Sequence, residues 1–65
     1  MENKRGQSVS ERLKEEIEYA ESVESAEHRE VLAIKALGAA DMAVEFKLIT
    51  YKEWETYINR IFKIM

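Results

Sequence analysis

The sequence has no cysteine and no proline, and only two glycines, Gly6 and Gly38. Without cysteine there is no disulfide and no thiolate metal site, and the redox compartment is left open. A single histidine, His28, cannot build a multi-histidine metal site within one chain. Proline and glycine usually punctuate the turns of sandwiches and barrels, so their scarcity argues against an all-β fold. No apolar run approaches the ~20 residues of a membrane-spanning helix. The start, Met1-Glu2-Asn3-Lys4-Arg5-Gly6, leads into no apolar segment of the kind a secretory signal carries, so a cytoplasmic location is expected. The net charge of −3 does not favour nucleic-acid binding by the whole surface.

The 65 residues allow one domain at most. A chain this short buries only ~60% of the surface that its unfolded form exposes. Small domains compensate with disulfides, metals or oligomerisation. Association with another copy, or with a larger partner, is the device that remains.

Alanine, glutamate, lysine and leucine are abundant, and all favour helix. The expected fold is all-α: a small bundle of two to three helices per chain, with a C-terminal αα-hairpin, completed by oligomerisation. Residues 1–7 read as a polar, flexible lead-in and 8–65 as a single helical domain. Ser8 or Ser10 can cap a helix start, and Ser8, with Glu11 three residues on, fits the capping box better. A first helix follows over about residues 9–22, with Leu13, Ile17 and Ala20 on one face. Residues 22–28 interrupt the apolar period. They permit either a break, with a second helix starting near residue 25, or a continuous helix. Residues 29–47 are apolar at most positions, from Val31 to Phe46, with Lys35, Asp41 and Glu45 as a narrow polar strip. A helix that is apolar all round is expected to be buried. Gly38 in mid-helix costs ~1 kcal/mol relative to alanine, and a close helix crossing among Ala33, Ala36, Ala39, Ala40 and Ala43 is a reason to tolerate it. Thr50 with Glu53 makes a second capping box, which starts a last helix at residue 51 carrying Trp54, Tyr57, Ile58, Ile61, Phe62 and Met65.

Leu48-Ile49-Thr50 followed by Glu53-Trp54-Glu55 resembles the turn of short helical-hairpin modules of the SHOCT type. The resemblance is one of local capping chemistry, over about residues 44–62. Lys47 stands where those modules usually have glycine.

No catalytic constellation emerges. His28 with Glu24 gives two ligands, short of the three or four a zinc site needs. The Glu-x-x-His spacing of carboxylate-bridged di-iron bundles would need an acid at position 25, which is Ser25. The glutamates lie on a solvated face with no apolar pocket to raise a pKa. Ser8, Ser10, Ser22 and Ser25 lack a glycine-framed nucleophile turn. We therefore expect no enzyme, no metal, no cofactor and no small-molecule substrate.

Charge is unevenly spread. Residues 11–30 carry eight glutamates against Arg12, Lys14 and Arg29; residues 47–63 carry Lys47, Lys52, Arg60 and Lys63 against Glu53 and Glu55. An acidic face of Glu15, Glu18, Glu21 and Glu24 is expected to meet a basic partner protein. The expected oligomer interface is Ile34, Leu37, Gly38, Ala40, Val44, Trp54, Ile58, Ile61 and Phe62. These features suggest a homo-oligomeric adaptor or inhibitor that binds and regulates another protein, of a size and charge seen in phage or mobile-element proteins. The alternative is a dimeric helical DNA-binding transcription regulator. Against it, the helix after the turn would present Glu53 and Glu55 to phosphates, and the turn lacks the expected glycine.

Overall fold

A computed structural model describes residues 8–65 as three α-helices. The expected lead-in over residues 1–7 lies outside the described residues. Helix α1 spans Val9–Ser22, α2 Ala26–Glu45 and α3 Tyr51–Ile64.

Each start is fixed by a side-chain cap. Ser8 Oγ accepts from the Glu11 N–H at 3.1 Å, and the Glu11 carboxylate accepts from the Ser8 N–H at 3.2 Å. Thr50 and Glu53 repeat the arrangement at 3.0 and 2.8 Å. Both boxes satisfy N–H groups that a helix start otherwise leaves without partners. Between α1 and α2 the chain breaks for three residues, Val23-Glu24-Ser25. Ser25 caps α2 by accepting from the His28 N–H. Arg29 reaches back and its Nη1 donates to both the Val23 and Glu24 carbonyls, at 2.8 and 3.0 Å, so a single charged nitrogen holds the break.

Helix α2 ends in a complete Schellman motif. The Leu48 N–H donates to the Ala43 carbonyl at 2.8 Å and the Lys47 N–H to the Val44 carbonyl at 3.1 Å. This geometry needs a left-handed residue at the turn, and Lys47 supplies it with φ 62°. The side chain pays for that conformation, which glycine adopts freely. Lys47→Gly should therefore raise stability by roughly 0.5–1 kcal/mol, a higher urea midpoint at unchanged slope being the readout.

The core lies where the three helices meet. Leu13, Ile17 and Ala20 of α1 are buried on the expected face. They join Ala33, Ala36, Ala40 and Ala43 of α2, Ile49 of the turn, and Tyr57, Ile58 and Ile61 of α3. Among the described residues, only Ile17 and Ile61 are large side chains with essentially no exposure. The Cα envelope measures 32 × 27 × 14 Å, a slab with room for one thin apolar layer.

Candidate interaction surface

Helix α2 turns four of its six alanines inward. Ala33, Ala36, Ala40 and Ala43 face the core, while Val31, Ile34 and Met42 point outward at 62, 55 and 55% exposure. Phe46, at the C-cap, is 64% exposed. This differs from the expectation of a helix buried all round. Two shorter helices can cover one side of a helix, and in a thin slab that side is the one whose methyl-sized groups let backbones approach. Positions 34, 38, 42 and 46 follow the i, i+4 spacing, so Ile34, Gly38, Met42 and Phe46 form one outward ridge with Val31 beside it.

Within the chain, buried alanines make the close approach, and the crossing expected at Gly38 finds no partner in this chain. A Cβ built on Gly38 would meet nothing within 4 Å, and Ala39 is likewise exposed. The residues expected at an oligomer interface divide into three groups. Ala40, Ile58 and Ile61 lie in the chain's own core. Leu37, Val44 and Trp54 are half-buried and pack against that core. Ile34, Gly38 and Phe62 are exposed, Phe62 at 56%. Val31, Met42 and Phe46, expected to be buried with the rest of the central helix, join this exposed group.

Polar contacts pin the helices together. Trp54 Nε1 donates to Asp41 Oδ1 at 2.8 Å, tying α3 to α2, and the Tyr51 ring lies against the Trp54 ring with centroids 5.1 Å apart. Ser10 at the start of α1 meets the start of α3. Its hydroxyl donates to Glu53 Oε2 at 3.1 Å and lies 2.6 Å from Tyr57 Oη, which donates to the Ser10 carbonyl at 3.1 Å. Sequence reasoning missed this cluster. The one available signal is a tyrosine on an apolar stripe, whose hydroxyl needs a partner once buried.

Glu15, Glu18, Glu21 and Glu24 are all exposed. Glu21 also serves inside the chain, accepting from Arg60 Nε at 3.2 Å and Nη2 at 2.8 Å. That two-pronged hydrogen bond raises the Arg60 pKa further above its ordinary value. It also occupies one of the four basic groups between residues 47 and 63, which leaves Lys47, Lys52 and Lys63 as the cations of that segment. Among the described residues no three His, Cys, Asp or Glu side chains converge to hold a metal, and no helix is long and apolar enough to cross a membrane.

Glu53 carries a pH dependence. The Thr50 backbone N–H, hydrogen-bonded to its carboxylate, holds its pKa below the ordinary value of 4.5, helped by Ser10 and the Thr50 side chain and opposed by desolvation. A pKa depressed by folding contributes stability that is present above the ordinary value and lost as pH falls through the folded value. The melting midpoint should therefore fall as pH drops below about 4.5. Glu53→Gln should flatten part of that fall; an identical pH profile for both proteins would exclude the box as its source.

No family model matches the chain, and no curated protein or solved structure matches it. The SHOCT-type resemblance therefore stays one of capping chemistry at a single turn.

Proposed function

We propose that this chain is a small non-enzymatic protein–protein interaction module. It assembles as a homo-oligomer and serves as an adaptor or inhibitor of another protein. One observation carries the reading: α2 gives Ala33, Ala36, Ala40 and Ala43 to the core, while Val31, Ile34, Met42 and the C-cap Phe46 stay on the surface. Scattered surface apolar residues are ordinary, but a contiguous apolar ridge of several large side chains marks a contact surface. Helices α2 and α3 act as a C-terminal helical hairpin that displays this ridge. The acidic surface of α1 and the break after it, with Glu15, Glu18 and Glu24 exposed beside the Arg60-paired Glu21, offers the second contact, to a basic partner. No specific observation favours the DNA-binding alternative.

Light scattering over a range of concentrations tests the assembly. The expected mass is a multiple of the 7.6 kDa chain, and a single-chain mass at every concentration would defeat the reading. The second contact is tested by using the wild-type protein and a Glu18→Lys, Glu24→Lys variant as baits in one lysate. A stoichiometric partner should be captured by the first and lost by the second.

A further inference from the structure

Gly38 is the one residue of α2 that the single chain leaves without a reason. It lies in the interior of a 20-residue helix, where glycine is less stable than alanine. Its φ is not positive, so the backbone does not require it. A Cβ there would meet open space, so packing within the chain does not require it either. Yet it is centred in the exposed ridge, with Ile34 four residues before it and Met42 four residues after. A gap in an i, i+4 ridge between two large side chains is a notch. In the commonest class of helix packing, such ridges from two helices cross at about −50°. A notch at the crossing point lets the backbones come close.

Resting on the assembly reading above, we infer that a second copy of this chain crosses α2 at Gly38, so that the two notches meet on a two-fold axis. A two-fold contact is self-complementary, and it places the same residue of both chains at its centre. The available area fits this occupant. The Trp54–Asp41 hydrogen bond sets the register of α3 on α2. Two helical turns from that bond, back along α2 and forward along α3, reach Ile34 and Ile61, and the exposed Phe62 follows Ile61 at the same level. The apolar ridge thereby extends onto α3. Val31, Ile34, Met42, Phe46 and Phe62 are 62, 55, 55, 64 and 56% exposed and together offer on the order of 500–600 Å², most of the about 800 Å² per partner of a standard-sized interface. A thin slab with few enclosed large side chains gains by such stacking the apolar layer it lacks alone.

Gly38→Ala separates the two states of the chain because its effects have opposite signs in them. In the dilute monomer, alanine replaces glycine on an open helix surface, so the variant should melt at a higher temperature than wild type. At the crossing, two added methyl groups face each other. The dimer dissociation constant should rise at least tenfold by concentration-dependent light scattering, and further for Gly38→Leu. Assembly of both variants as tight as wild type would overturn the crossing at Gly38 while leaving assembly by another part of the surface standing. A wild-type protein at single-chain mass throughout would overturn the crossing and the assembly together.

Discussion

Ile61→Ala should leave the protein largely unfolded at room temperature. Ile61 has 0% exposure and, with Ile17, is one of two large side chains wholly enclosed among the described residues. Truncating a buried isoleucine to alanine costs about 2–5 kcal/mol, the spread reflecting how far the surroundings collapse into the cavity. Here they have little to offer, because every fully buried residue that α2 contributes to the core is an alanine. A single core of this chain length rarely supplies more than ~3–5 kcal/mol in all. Loss of one large side chain therefore approaches the whole stability of the monomer. Far-UV circular dichroism and a urea titration measure it. A cooperative transition weakened by under ~1 kcal/mol would mean that the core is not organised around this residue.

The double variant Ile34→Asp, Met42→Asp should do the reverse, abolishing assembly while keeping the fold. Both side chains are 55% exposed, so the isolated chain loses little buried area. Substitutions at such sites usually change stability by no more than about 0.5 kcal/mol. In the assembly the same positions would carry charges out of water without partners, at a cost of several kcal/mol per ion. Light scattering should fall to the 7.6 kDa chain mass while the helical signal of the dilute protein persists. Unchanged mass would remove the ridge from the interface. Leu37→Asp is a poorer probe, because Leu37 packs against the chain's own core and its loss would confuse unfolding with dissociation.

What the sequence made legible, and what it hid, follows from which signals are local. Ser8–Glu11 and Thr50–Glu53 sit three residues apart and act on one helical turn, so the starts of α1 and α3 could be read directly. Leu13, Ile17 and Ala20 stand on an otherwise polar helix, and their spacing named the buried face. Helix α2 offered no such contrast. Nearly every position is apolar, so periodicity could not say which side faces in. The choice fell to volume, and the inward side is the one with the alanines. For the same reason Ile58 and Ile61 could not be told apart from interface residues, since a core and an interface ask for the same chemistry. The Ser10–Tyr57 contact spans 47 residues, and nothing local announces it. Lys47 is the intermediate case. The missing glycine before Leu48 was visible, and the left-handed backbone it implies is there, carried by lysine.

The Trp54–Asp41 hydrogen bond also gives the protein a built-in optical gauge. Trp54 is the only tryptophan, half-buried between α2 and α3 with its indole N–H held by a carboxylate. Undocking α3 would release the indole to water and shift its emission to the red. One intrinsic fluorophore thus reports on the α2–α3 seam without a label, at protein concentrations well below those that scattering requires.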